Sequence, residues 1–435
     1  MGINKTHFTM SRSEYTQTTV SDLDAAGEKV NFLYYDTKSV RINAVEVDTL
    51  KKYRQGLTSL SMGGTSQITV PSSDSISDTY LYLELPPILD TNVVLQEAWG
   101  YAAIKSINYT IGSSSISTVE LSSESLFSHA MLCAETSEKR QSVLQLAGAS
   151  LGTADDRAVG PKACISLALP WSTIRKSGKL GYDASLLSDP IIIQITLNDA
   201  NHFMSTITGG GTPSYPAAYV KGECILKQGV LSNKADSMKS TLANNSNLLV
   251  SYPFVHKQTG TNSLILNAQP GESQEVKIQS LINSDLLGLS FMVTPAASKR
   301  SGAAGVMANK YDTINCEDIK VTFNGQVLID APWRMSELQT LNLDVGGTDT
   351  PKTVMNSTGV AFPEGAYKIY YLPFSYMKTV IFEGQYSNVS RYSQQNMEIL
   401  FTPKHTVAQN LQFTCSYYYN ALCTTQSGAT RITFA

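Results

Sequence analysis

The sequence carries one set of landmarks twice. Leu169-Pro170-Trp171-Ser172 closes an apolar run, and Leu372-Pro373-Phe374-Ser375 closes another about 200 positions later. Upstream of each, Ile107-Asn108-Tyr109-Thr110-Ile111-Gly112 parallels Ile319-Lys320-Val321-Thr322-Phe323-Asn324-Gly325. Downstream of each, Ile191 to Leu197 and Met397 to Phe401 have the pattern of strands. Three landmarks in the same order at nearly constant offset predict two copies of one β-domain. A period of roughly 200 residues is the size of a whole domain and far too long for a solenoid or propeller repeat.

Composition narrows the class. Charged residues make up 16 % of the 435-residue chain, against roughly 25 % in an average globular protein, and Ser, Thr, Asn, Gln and Gly fill the deficit. Such a chain suits sheets and polar loops better than charge-laced helices. The formal net charge is −3 and no dense Lys/Arg run occurs, which argues against sequence-specific nucleic-acid binding, because neutralising phosphates takes clustered cations. No apolar stretch is long enough to span a bilayer, and Met1 to Ser21 lacks the apolar core of a signal peptide. Cysteines 133, 164, 224, 316, 415 and 423 show no CxxC spacing; free thiols in a reducing compartment are expected, with Cys224 and Cys415 buried in strands.

Along the chain, residues 1–28 read as a polar arm. Strand patterns follow at Tyr80 to Leu85, stopped by Pro86-Pro87, at Ile104 to Ile111, at Cys164 to Leu169, at Ile191 to Leu197 and at Tyr219 to Lys227. Leu121 to Ala149 has helical character, with Leu126, Met131, Leu144 and Leu146 as its apolar positions. Thr206 to Pro216 and Ala296 to Ala308 read as loops. The second copy supplies Leu286 to Val293, Ile319 to Phe323, Ile369 to Leu372, Met397 to Phe401 and Leu411 to Tyr419. In the last of these, Leu411, Phe413, Cys415, Tyr417 and Tyr419 alternate with Gln412, Thr414, Ser416 and Tyr418, so that one face packs and the other meets a neighbour or water. The expected fold is all-β: two tandem eight-stranded antiparallel jelly rolls with long loop insertions and a few short helices. The expected boundaries are an arm at 1–28, a first roll at 29–230, a linker at 231–247 and a second roll at 248–435.

The order of landmarks resembles the double jelly-roll major capsid proteins of eukaryotic double-stranded DNA viruses, the lineage of nucleocytoplasmic large DNA viruses, virophages and polinton-like viruses. Trp99-Gly100-Tyr101-Ala102-Ala103-Ile104-Lys105-Ser106-Ile107, running to Ile111-Gly112, resembles the family's strand that ends in a glycine turn. Val321-Thr322-Phe323-Asn324-Gly325-Gln326 resembles its equivalent in the second roll, although Val327-Leu328-Ile329-Asp330 stands where the family carries a charged loop. Ile369-Tyr370-Tyr371-Leu372-Pro373-Phe374-Ser375, Gly384 and Asn388-Val389-Ser390-Arg391 look like the penultimate region. Tyr417-Tyr418-Tyr419-Asn420, Ser427-Gly428-Ala429 and Phe434 look like the terminal strand and tail. The resemblance implies a virion shell protein, made inside the host cell and not secreted. It also implies a homotrimer forming a pseudo-hexagonal capsomer of an icosahedral capsid. The implied partners are neighbouring capsomers, minor capsid and penton proteins, and an internal membrane reached through the arm.

Chemistry is sparse. Histidines 7, 129, 202, 256 and 405 are too dispersed for a zinc site, and no HExxH or GxSxG occurs, so no catalytic residue, metal ligand or cofactor is expected. Gly209-Gly210-Gly211 lacks the Lys of a phosphate loop. Asp155-Asp156-Arg157 reads as a solvated turn, with a cation or carbohydrate contact as the alternative, and Lys51-Lys52-Tyr53-Arg54 as a solvated face, with contact to nucleic acid or an inner membrane as the alternative. Met1-Gly2-Ile3-Asn4-Lys5-Thr6 fits the N-myristoylation pattern, which marks Gly2 as a lipidation candidate. Asn108, in an Asn-x-Thr triplet, falls inside an expected strand and is a poor glycan acceptor. The 22 tyrosines suit β-sheets, and some are expected at subunit interfaces. The competing reading is a carbohydrate-binding or glycoside-cleaving β-sandwich, for which Glu120, Glu124, Glu135, Glu138, Glu364 and Glu383 are the available carboxylates.

Overall fold

The computed structural model describes residues 47–57, 60–70, 75–88, 90, 93–112, 119–134, 137–148, 160–167, 169, 184, 187–206, 221–231, 250–278, 286–296, 311, 313–323, 325–331, 346–355, 361–373, 397–426 and 429–434. In the first half, strands β1 (Val47–Leu57), β2 (Thr65–Val70), β3 (Ser75–Glu84) and β4 (Val93–Leu95) precede a one-turn helix, α1 (Trp99–Ala102). Strands β5 (Ile104–Thr110) and β6 (Val119–Ser122) lead into helices α2 (Ser123–Cys133) and α3 (Ser137–Leu146). Strands β7 (Lys162–Ser166), β8 (Ile191–Leu197), β9 (Met204–Thr206) and β10 (Lys221–Leu231) follow. The second half is β11 (Val250–Ala268), β12 (Gln274–Ile278), β13 (Leu286–Pro295), β14 (Cys316–Phe323), β15 (Gln326–Ala331), β16 (Gly346–Met355), β17 (Ala361–Pro373), β18 (Met397–Pro403), β19 (Gln409–Gln426) and β20 (Ala429–Phe434).

The duplication is visible in the strand order. The first half forms the sheets β1-β10-β3-β7 and β2-β8-β5-β6, and the second half forms β11-β19-β13-β17 and β12-β18-β14-β15 in the same order. Each half is an eight-stranded, two-sheet jelly roll with antiparallel pairing throughout. Among the described residues, β16 extends the second roll beside β17, β20 returns along β19, and β4 pairs with β9. The repeated landmarks are therefore equivalent strands. The first Leu-Pro motif comes after β7 and the second ends β17, the glycine motifs close β5 and β14, and the downstream runs are β8 and β18.

The reason is the period-two pattern. In β8, Ile191, Ile193, Ile195 and Leu197 are at most 1 % exposed. Ile193 sits in register between Ile68 and Tyr109. Ile399 sits likewise between Val276 and Val321 in the second roll. Each such side chain, taken from water, contributes about 1.5–3 kcal/mol. The second core adds an aromatic stack, with Phe413 at 5.5 Å from Phe291 and 5.6 Å from Phe401. Tyr370 is buried there because its hydroxyl has partners: it donates to Asn315 Oδ1 at 2.7 Å and accepts from the Cys316 amide at 2.8 Å. Gly112 and Gly325 hold φ of +56° and +77°, the left-handed turn conformation that favours glycine where each of these strands must reverse.

Several expectations change. The segment from Trp99 opens as helix α1, and its strand begins only at Ile104. Leu121 belongs to strand β6, and the helical region starts at Ser123. Leu146 is 60 % exposed, because α3 ends there and turns its last residue outward. The expected C-terminal tail is strand β20, hydrogen-bonded to β19 from Ala421 opposite Phe434 to Gln426 opposite Ala429. Lys51-Lys52-Tyr53-Arg54 lies within strand β1, paired with β10. The arm at 1–28, Asp155-Asp156-Arg157 and Gly209-Gly210-Gly211 lie outside the described residues, as does the linker apart from Leu231.

Candidate functional site

The most elaborate arrangement of side chains is the seam where the first roll meets the second. Its centre is α2. Ser122 caps the helix, its hydroxyl accepting the Ser125 amide at 3.2 Å, and Glu124 sits in the first turn where the helix dipole favours a negative charge. Ser123, Ser125, Leu126, Phe127, Ser128, His129, Ala130 and Met131 are all buried. A helix buried on every side is enclosed by protein. Here the first roll encloses one side and the β11-β19-β13-β17 sheet the other.

That sheet is therefore buried on both faces. Leu289, Phe291 and Val293 of β13, Tyr370 and Leu372 of β17, and Phe413, Cys415 and Tyr417 of β19 fill the second roll's own core. The alternate residues Ser290, Met292, Thr294, Ile369, Tyr371, Ser416 and Tyr418 are also buried, on the face turned to α2. In register, Ser290 lies between Tyr371 and Ser416, and these small residues let the helix approach. Ser125 Oγ and Ser416 Oγ share a hydrogen bond of 2.6 Å across the seam. Phe127 stacks on Tyr311 at 3.9 Å and meets Tyr367 and Tyr101 edge-on at 5.2 and 5.9 Å. Tyr367 donates to Glu97 Oε2 at 3.0 Å, the His129 ring lies 5.9 Å from Tyr418, and Tyr418 meets Tyr371 edge-on at 5.7 Å. Ile432 of β20 and Met292, Tyr311, Tyr367 and Ile369 belong to the same apolar cluster as the first roll's core. Seam residues of the second half thus join the first roll's apolar cluster, while the second roll's own core forms a separate one; so extensive an apolar contact suppresses the relative motion usual between domains.

Burial raises the phenol pKa of Tyr101, Tyr311, Tyr371 and Tyr418 above the ordinary tyrosine range, chiefly because an interior phenolate loses its hydration. Burial pushes the Cys316 thiol up likewise. Cys133, Cys164, Cys316 and Cys415 are free thiols.

The remaining sequence candidates do not converge. Gly2 lies outside the described residues. His129 is in the seam, His202 is exposed, and the His405 ring nitrogens lie 3.2 and 3.0 Å from the carbonyls of Pro403 and Ala268. Glu124 accepts a hydrogen bond from Ser123 Oγ at 3.0 Å, Glu138 is exposed on α3, and Glu120 and Glu364 lie on β6 and β17. Glu135 and Glu383 lie outside the described residues. Among the described residues, no group of three or more His, Cys, Asp and Glu side chains is placed to hold a metal ion, and no helix is long and apolar enough to cross a membrane. The seam residues Ser125, Phe127, Tyr311 and Tyr367 were not singled out by the sequence. Their signal was the alternate face of β19, expected to meet a neighbour or water, on which Tyr418 is the aromatic residue.

No family model and no curated protein sequence matches the chain. Solved structures do. VP54 of PBCV-1, in a crystal structure fitted into a reconstruction of the virophage Sputnik, superposes with a TM-score of 0.63 at 12 % identity, covering 89 % of this chain and 97 % of that one. The Faustovirus major capsid protein superposes at 0.55 and 10 % identity, covering 94 % of each chain. The mavirus major capsid protein gives 0.51 and 9 %, again over 94 % of each chain. At such identities it is the fold that is shared, and the fold of this chain is the double jelly roll of those viral capsid proteins.

Proposed function

We propose that the chain is a major capsid protein, a non-enzymatic shell subunit that trimerises into a pseudo-hexagonal capsomer of an icosahedral virion. The observation that carries this reading is the seam. A shell tile must present two equivalent lobes at a fixed angle, and the shared interior from Phe127 to Tyr367 fixes it. Three chains then supply six lobes of one fold, and a hexagonal outline packs edge to edge. We place the two lobes at residues 29–230 and 248–435, joined by 231–247. Minor capsid and penton proteins, and an internal membrane beneath the arm, are the further partners this reading implies, with the virion as its location.

Size-exclusion chromatography with light scattering tests it: the expected mass is three times the 47.3 kDa of the chain. A clean monomer across the micromolar range would overturn the proposal. The trimer should also resist salt, because stable interfaces rest on large, partly apolar contacts, whereas exposed ion pairs contribute about 0–1 kcal/mol each. Dissociation at about 0.5 M sodium chloride would contradict that basis for assembly.

A further inference from the structure

The outer faces of two equivalent sheets, β2-β8-β5-β6 in the first roll and β12-β18-β14-β15 in the second, begin alike and then diverge. Each carries a hydroxyl pair at the same place. Thr65 and Thr196 share a hydrogen bond of 3.0 Å, and Ser273 and Thr402 share one of 3.1 Å. Beside that pair the second roll is charged. Glu275 lies opposite Leu400 and Leu400 opposite Lys320, while Lys277 lies opposite Glu398 and Glu398 opposite Thr322. Glu398 finds its partners within its own sheet, at 3.7 Å from Lys277 Nζ and 3.4 Å from the Thr322 hydroxyl that donates to it.

At the equivalent positions the first roll is neutral. Gln67 lies opposite Gln194 and Gln194 opposite Asn108, a row of three side-chain amides. Thr69 lies opposite Ile192 and Ile192 opposite Thr110. Gln67, Thr69 and Gln194 are exposed, and Asn108, Thr110 and Ile192 are half-buried. Asn108 Oδ1 is shielded from solvent yet has no hydrogen-bond partner among the described residues, so this amide, unlike Glu398, is not satisfied by its sheet. The charged positions Lys105 and Glu120 stand at the margins, one near the start of β5 and the other on edge strand β6.

Such a face suits one class of partner. An anionic ligand calls for clustered cations, and a tight protein contact calls for aromatic or apolar anchors. An amide offers donors and an acceptor in one plane. That matches a sugar ring, whose adjacent hydroxyls each donate and accept and whose C–H face suits the Ile192 side chain and the threonine methyls. We infer that the outer face of β2, β8 and β5 binds a neutral glycan, with Gln67, Gln194 and Asn108 hydrogen-bonding its hydroxyls and Ile192 packing against a ring. Binding here involves no cleavage and does not depend on the capsomer reading. Several copies on one particle would engage a repeating polymer together, so individually weak sites add up.

Biolayer interferometry of the full chain on immobilised dextran, mannan and galactan tests it, with hyaluronate as the acidic comparison. At least one neutral polymer should capture the protein, equally well with and without about 0.5 M sodium chloride. The triple variant Gln67→Glu, Thr69→Lys and Ile192→Glu gives the first roll the side chains its counterpart already carries at these positions, so it should fold. It should lower the affinity by about tenfold or more, as should Gln194→Ala at an exposed position. Glu275→Gln, on the second roll, should leave binding unchanged. Should the triple variant fail to fold, Gln194→Ala decides. Capture by none of the three neutral polymers overturns the inference, as does capture that these variants leave intact. Capture of hyaluronate that salt abolishes, with none of the neutral polymers, marks charge-driven binding and overturns it too. If the variants instead change the mass seen by light scattering, the face joins copies of this chain and the glycan assignment falls.

Discussion

Raising the pH from about 10 to about 12 should unfold the protein cooperatively, with phenolate absorbance appearing in step with the loss of sheet circular dichroism. Tyr101, Tyr311, Tyr371 and Tyr418 are buried, and their pKa values lie above the ordinary range. Burial is the main cause in each. At Tyr311 the Glu124 carboxylate adds to it, and at Tyr418 the Ser290 hydrogen bond partly offsets it. Below about pH 10 these phenols are protonated in both folded and unfolded chains, and their contribution to stability is complete. Above it the unfolded chain releases protons that the folded chain retains. Stability then falls by about 1.4 kcal/mol per pH unit for each phenol. Four phenols over about two pH units amount to about 10 kcal/mol, comparable to the whole stability of a typical domain. Ionisation of all 22 tyrosines with circular dichroism unchanged would mean that the four buried phenols reach water.

The strands legible in the sequence are those whose inner face is aliphatic and whose end is punctuated. Ile191 to Leu197 alternates cleanly, and Gly112 and Gly325 mark reversals that a left-handed φ requires. Strands built by pairing were harder to see. In β1, Lys51, Lys52 and Arg54 break the apolar pattern, and its place at a sheet edge comes from its register with β10. In β16, Gly346, Gly347 and Pro351 argue against a strand, and the long pairing with β17 overrides them. The seam was concealed for a different reason. The face with Thr414 and Ser416 could be read only as meeting a neighbour or water, because small polar residues serve equally to meet water and to admit a helix. Only the position of α2 tells the two apart. The repeat, by contrast, was visible because both rolls keep the same inner-face chemistry at equivalent strands.

Phe127→Ala should destabilise the protein by about 3–5 kcal/mol and split its unfolding into two transitions in urea. Phe127 is fully buried and touches both rolls, stacking on Tyr311 at 3.9 Å and meeting Tyr101 and Tyr367 edge-on. Truncation removes the transfer free energy of the ring and leaves a cavity that two packed sheets cannot easily collapse into. A residue such as Phe413, inside one core, should cost as much when truncated yet keep the rolls coupled through the seam. The contrast between the two variants, at similar loss of stability, isolates the coupling itself. Ser125→Ala gives a finer reading. It strands the Ser416 hydroxyl in a buried site and should cost about 1–3 kcal/mol, while the Ser125→Ala/Ser416→Ala pair should recover much of that loss. Identical single transitions for Phe127→Ala and Phe413→Ala would show that the rolls are held together elsewhere. Two separate transitions for Phe127→Ala alone would locate the rigidity of the tile in one helix and the sheet face it covers.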